Sequence, residues 1–199
     1  MYVIGVDLGQ KRDHTAIVMV EKPYRHPLAS VVDPTLTVRM AQRLPLGMGY
    51  PEMVEVVRHV VGMGMRAGYV RGQTPCAVVV DATGVGRPMV DTLKNSGLGC
   101  EVTAVTITGG DKQHYRRGES GAMNVPKVDL MAHLLMALEK GELKIAAKMR
   151  ESGTLKRELL DVRVSRRESG AIRFGADEYG QHDDLVIALA LAVWRAKRF

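Results

Sequence analysis

The chain has 199 residues, 46% of them hydrophobic and 25% charged, a balance that fits a single globular domain over residues 1–199 and excludes a disordered chain. The longest strongly apolar run, Leu185 to Trp194, is too short to span a bilayer, and the start Met1-Tyr2-Val3-Ile4-Gly5-Val6-Asp7 has no basic lead-in to a secretion signal, so a cytoplasmic protein is expected. Net charge is +6, which points to a polyanionic partner, and two cysteines, Cys76 and Cys100, are too few for a disulfide framework or a four-cysteine zinc site.

In chain order, Tyr2 to Gly9 reads as a buried strand closed by acid and glycine, and Thr15 to Glu21 as a second strand after a hairpin-length link. Leu36 to Leu44 offers a third, so the first part is an antiparallel meander. The spacing of Met53, Val57, Val60 and Val61 predicts a helix from Glu52 to Arg66, weakened at its end by Gly62, Gly64 and Gly68. Cys76 to Asp81 is a short apolar run closed by an acid, the pattern of a central buried strand. A helix from Arg87 to Ser96 and a strand from Glu101 to Thr108 complete a parallel crossover unit. Gly109 to Gly121 is polar, basic and glycine-rich, a loop. Pro126 to Lys140 is an amphipathic helix stopped by Gly141, Lys148 to Leu160 a further helix, and Val162 to Phe174 a hairpin about Glu168-Ser169-Gly170. The last helix, Asp183 to Lys197, is apolar nearly all round and is expected against the sheet.

Acids stand where packing alone would not put them. Asp7 closes the first strand, Asp81 closes the central one, and Asp183 and Asp184 open the most apolar helix. Each has a structural explanation when taken singly: a turn at Asp7, a helix cap at Asp81, the favourable field of a helix N-terminus at Asp183-Asp184. Taken together they are harder to explain, because buried carboxylates need cations or donors. If the first and central strands are neighbours, Asp7 and Asp81 end side by side, and the last helix can bring a third acid to them. Such a cluster repels itself, and a pair of Mg²⁺ ions with hard oxygen ligands relieves the repulsion. Two ions about 3.5–4 Å apart can clamp the attacking and leaving oxygens of a phosphodiester displacement.

The order Gly5-Val6-Asp7-Leu8-Gly9, then Val80-Asp81, then His182-Asp183-Asp184-Leu185-Val186-Ile187-Ala188-Leu189-Ala190 resembles the nuclease domain of phage terminase large subunits, within the ribonuclease H-like superfamily. Asp13, shortly after Asp7, and Val125-Pro126-Lys127 leading into a helix that ends at Gly141-Glu142-Leu143 extend the likeness from Gly5 to Ala192. The resemblance implies an α/β fold with a mixed five-stranded sheet in order 3-2-1-4-5 and helices on both faces. It also implies metal-dependent endonuclease cleavage of concatemeric double-stranded viral DNA with two Mg²⁺ or Mn²⁺ ions, in the host cytoplasm if the chain is phage-encoded. The implied metal acids are Asp7, Asp81 and the Asp183/Asp184 pair, with Asp13 as a further candidate. Neighbouring helix positions point about 100° apart, so one of the pair faces the metals; Asp184 is chosen as catalytic with Asp7 and Asp81, because it sits beside the apolar face. Terminase large subunits carry an ATPase domain whose phosphate loop ends in Gly-Lys-Ser/Thr. No Gly-Lys pair occurs in this chain, so an ATPase domain or other packaging proteins would be partners outside it.

Two glycine-containing segments suit other readings less well. Gly84-Val85-Gly86 lacks the third glycine of a dinucleotide fingerprint, and Val6-Asp7-Leu8-Gly9 resembles a sugar-kinase phosphate loop whose partner domain has no room here. A Holliday-junction resolvase-like nuclease and a non-catalytic DNA-binding module remain as alternatives. Lys112, Arg116 and Arg117 in the glycine-rich loop, Lys127, and Arg163, Arg166, Arg167 and Arg173 in the predicted hairpin are candidate phosphate contacts.

Overall fold

The computed structural model describes residues 1–9, 13–23, 35–70, 76–83, 86–109, 114–115, 122–166, 172–175 and 183–198. The chain opens with β1 (Tyr2–Asp7), β2 (Ala16–Glu21) and β3 (Leu36–Arg43), followed by α1 (Tyr50–Val70). Next come β4 (Cys76–Asp81), α2 (Gly86–Asn95), β5 (Glu101–Thr108), β6 (His114–Tyr115) and β7 (Ala122–Pro126). The last part holds α3 (Lys127–Glu139), β8 (Leu143–Ile145), α4 (Ser152–Asp161), β9 (Arg163–Arg166), β10 (Ile172–Gly175) and α5 (Asp184–Ala196).

One eight-stranded sheet runs β6-β7-β5-β4-β1-β2-β3-β8, and β9 pairs with β10 antiparallel in a separate two-stranded sheet. The expected meander is present: β1, β2 and β3 pair antiparallel in turn. So is the crossover, with β4 parallel to both β1 and β5. The middle of the sheet therefore has the expected order 3-2-1-4-5, and this is the ribonuclease H-like fold. The expected strand count was too low. β7 extends the sheet parallel to β5, β6 pairs with β7, and β8 adds to β3 at the other edge. β6, β7 and β8 are two, five and three residues long, too short for an alternating pattern to show, and β7 ends on a proline, which belongs at strand margins.

Alternation along the strands divides the core into two layers. Val3, Val18, Val79 and Val105 face one side, where they pack with α3, α5 and Leu155 of α4. Ile4, Val6, Ile17, Val78 and Val80 face the other, with α1 and α2. Helix α1 continues to Val70, beyond the expected stop, because Gly64 is where the helix meets the sheet. A Cβ there would come within 2.8 Å of Cys76 Sγ and 3.3 Å of Tyr2 Cβ. Contact of that kind outweighs the low helix propensity of glycine. Helix α5 is buried from Asp184 to Val193 and carries Trp194 fully buried, as its apolar composition requires. Among the described residues, no helix is long and apolar enough to cross a membrane.

Candidate active site

Strand periodicity decides which way the acids point. Val3 faces α5, so Gly5 and Asp7, two and four residues on, face the same side. Val79 does likewise in β4, which carries Asp81 to that side. The register pairs Val6 with Val80, so Asp7 and Asp81 end neighbouring parallel strands. The strand order reverses at this point, with β2 and β3 on one side of β1 and β4 and β5 on the other. Such a switch point leaves a crevice at the carboxyl ends of the strands.

Helix α5 brings the remaining acids. Gly5 lies directly beneath it: a Cβ there would overlap the Ala188 carbonyl oxygen and come within 3.0 Å of Ala192 N. This close seat sets Asp184, one turn before Ala188, over the end of β1. The result is a cleft of about 410 Å³ lined by Asp7, Asp13, Asp81, Thr83, Lys127, Asp183 and Asp184, with Leu8, Gly9, Ile107 and Ile187 as its other walls. Gly9 lets the chain fold back beside Asp13, whose carbonyl a Cβ at that position would overlap, and Thr15 Oγ1 accepts from Gly9 N–H at 3.1 Å.

The electrostatics are those of crowded like charges. Burial, then Asp81, Asp184 and Asp183 in that order, push the Asp7 carboxyl well above its ordinary range, and Lys127 opposes them. Burial also raises Asp81, against two hydrogen bonds from Thr83 and the charge of Lys127. Thr83 donates its backbone N–H to Asp81 Oδ1 at 2.8 Å and its hydroxyl to the same oxygen at 2.5 Å. Its own hydroxyl oxygen accepts from Ile107 N–H at 2.9 Å. Lys127, the first residue of α3, holds Asp183 Oδ2 at 2.9 Å. Asp184 is 7% exposed, and its Oδ2 lies 3.5 Å from Arg43 Nε. Arg43 Nη2 also meets Glu158 Oε1 at 2.6 Å, and burial pushes Glu158 up to about 7 despite that partner.

The four expected acids and Asp13 are thus brought to one cleft. Lys127, expected as a phosphate contact, stands inside it among the carboxylates. Arg163 is exposed on β9, away from the cleft lining. Lys112, Arg116, Arg117 and Arg167 lie outside the described residues, and of Arg166 and Arg173 only the backbone is described. Thr83, Arg43 and Glu158 escaped the sequence reading. Asp81-Ala82-Thr83 carries the signature of a side chain turning back on its own backbone, whereas nothing local marks the other two.

The carboxylate oxygens of Asp7, Asp81, Asp183 and Asp184 are hard donors of the kind Mg²⁺ and Mn²⁺ prefer, and Asp7, raised by burial first, is raised further by three neighbouring carboxylates against Lys127. That donor set fits a divalent ion. As they stand, no three His, Cys, Asp or Glu side chains among the described residues are gathered to chelate one ion; Lys127 holds Asp183 Oδ2, so loading requires side-chain movement about that pair.

The fold has solved counterparts. The large terminase nuclease from thermophilic phage G20c with bound magnesium superimposes with a TM-score of 0.64 at 22% identity, covering 98% of this chain and 81% of that one. The manganese-soaked human cytomegalovirus terminase nuclease domain gives 0.60 at 11% identity, covering 96% and 81%. The fold is that of a terminase nuclease domain. Against the large terminase of bacteriophage HK97 the TM-score is 0.60 at 12% identity, with 96% of this chain matched to 38% of that protein, so a chain with the terminase nuclease fold corresponds here to one part of a larger molecule. No protein-family model matches the sequence, and no curated protein does.

Proposed function

We propose that this chain is a metal-dependent endonuclease that hydrolyses double-stranded DNA, acting as one nuclease domain over residues 1–199 in the manner of terminase large subunits. The observation that carries the reading is the row of acids, Asp7 and Asp81 at the ends of adjacent parallel strands with Asp184 over them from α5, on a fold shared with a magnesium-bound terminase nuclease. Asp7, Asp81 and Asp184 are assigned as the catalytic carboxylates, with Asp183 and Asp13 as further oxygen donors. Bound among them, two Mg²⁺ or Mn²⁺ ions would supply Lewis-acid charge and polarise the attacking water. Thr83 holds one oxygen of Asp81 and so fixes the rotation of its carboxylate. Lys127 reduces the negative charge that an incoming phosphate meets, and Ile107 and Ile187 give the cleft its apolar walls. Concatemeric viral DNA is the proposed substrate, and an ATPase domain supplied outside these residues the proposed partner.

The test is nicking of supercoiled plasmid in Mn²⁺. Asp7→Asn and Asp81→Asn should each lower the rate roughly 10²–10³-fold, the kinetic equivalent of several kcal/mol of transition-state stabilisation. Undiminished nicking by both purified variants would sink the assignment. A preference for four-way junctions over linear duplex would move the reading to a resolvase, and metal-independent binding without cleavage would make it a DNA-binding module.

A further inference from the structure

Behind the acids lies a buried charge network that the nuclease reading does not use. The register Asp7↔Ala16 and Ala16↔Arg43 sets Arg43 in the same row across the sheet as Asp7, with only the small side chain of Ala16 between them. From there Arg43 meets Asp184 Oδ2 at 3.5 Å and Glu158 Oε1 at 2.6 Å. The other oxygen of Glu158, Oε2, accepts from the Leu185 backbone N–H at 3.1 Å. The side chains of Glu158 and Asp184 are 8% and 10% exposed.

The start of α5 explains what this achieves. A helix N-terminus leaves backbone N–H groups unsatisfied, and an Asp just before it ordinarily turns its carboxylate back to cap them. Asp183 holds that position, yet its side chain makes no cap hydrogen bond. Glu158 of α4 caps in its place, and Asp183 points its oxygen to Lys127 at the cleft. With the capping done from outside the helix, neither acid of the pair serves as its cap and both line the cleft. Arg43 then offsets the two buried carboxylates that this arrangement forces together.

We propose that Arg43 and Glu158 are positioning residues for the carboxylate centre, holding the first turn of α5 so that Asp183 and Asp184 present their oxygens to the metal ions. The inference rests on the cleft being a metal centre. Outer groups that orient ligands typically change metal affinity or activity by about 10–100-fold when removed.

Calorimetric titration with Mn²⁺ alone, without DNA, separates this from a simple charge effect. Arg43→Met deletes a cation beside the acids, so electrostatics alone would tighten Mn²⁺ binding. Positioning requires the opposite: about 10–100-fold weaker binding, a matching rise in the Mn²⁺ concentration for half-maximal nicking, and recovery of part of the loss in Arg43→Lys. If Arg43→Met does not fold, Arg43→Gln carries the test: the cation is again gone, so electrostatics alone would tighten Mn²⁺ binding, whereas loss of the guanidinium fork between Glu158 and Asp184 should weaken it. Wild-type affinity in the folded variants, or tighter binding, overturns the positioning role while leaving the metal centre standing. Failure of the wild-type protein to bind Mn²⁺ overturns the metal centre and the positioning role with it.

Discussion

Asp7 shows how one side chain ties stability to function. It ends an apolar strand, faces α5, and meets three other carboxylates, so its proton is held more tightly in the folded protein than in the unfolded chain. For a carboxyl raised on folding, stability is fully present below the unfolded pKa, about 3.9, and is lost as pH rises through the folded value. The metal-free protein should therefore lose stability from Asp7 as pH climbs from about 4 toward neutrality. Asp7→Asn removes the titrating group and one repelling charge. Its melting temperature in EDTA should exceed that of the wild type at neutral pH, with the gap closing toward about pH 4. Calorimetric melts of both proteins across that range check this, and parallel curves would contradict it. Mn²⁺ should raise the wild-type melting temperature at neutral pH, because a ligand that binds only the folded state stabilises it.

At the scale of elements, the site depends on how closely α5 lies on β1. Gly5→Ala puts a methyl group into the Ala188 carbonyl, and a packed backbone cannot yield without moving. A cost of about 1–3 kcal/mol is expected, seen as a melting temperature lower by several degrees, together with weaker Mn²⁺ binding because Asp184 shifts away from Asp7. Gly153 on α4 is the control: nothing lies within 4 Å of a Cβ there, so Gly153→Ala should melt at or slightly above the wild-type temperature. This dependence also explains what the sequence could reveal. Asp7, Asp81 and the Asp183-Asp184 pair were legible because each interrupts an apolar run, and alternation then dictates the face. The five central strands were legible for the same reason. Strands β6, β7 and β8, two to five residues long, carry no period to read. Arg43 and Glu158 look like ordinary surface charges in sequence, since their meeting needs the end of β3, the middle of α4 and the start of α5 to converge. The choice of Asp184 over Asp183 was likewise beyond sequence: both line the cleft, one held by Lys127 and the other by Arg43.

For the whole molecule, the difficulty is that a carboxylate cleft repels the phosphate backbone of the proposed substrate. Among the described residues one lysine, Lys127, stands inside it, and Asp183 engages that lysine. Attraction must come from elsewhere on a chain of net charge +6. Lys112, Arg116 and Arg117 between β5 and β7, with Arg163, Arg166, Arg167 and Arg173 in and between β9 and β10, are the proposed source: the first segment follows β5, the neighbour of β4, and the second precedes α5 in the chain. If four of these side chains neutralise phosphates, log affinity should fall with log salt at about −0.9 per contact, roughly −3.6 in all. Arg116→Glu/Arg117→Glu should weaken binding to all duplex sequences alike and flatten that slope, because phosphate contacts carry no base information. Mn²⁺ affinity should stay at the wild-type value if these groups serve DNA alone. Fluorescence anisotropy over a salt series, paired with Mn²⁺ calorimetry, measures both. An unchanged slope in this double variant and in Arg166→Glu/Arg167→Glu would mean that the basic segments are solvated surface and that DNA is held by some other face.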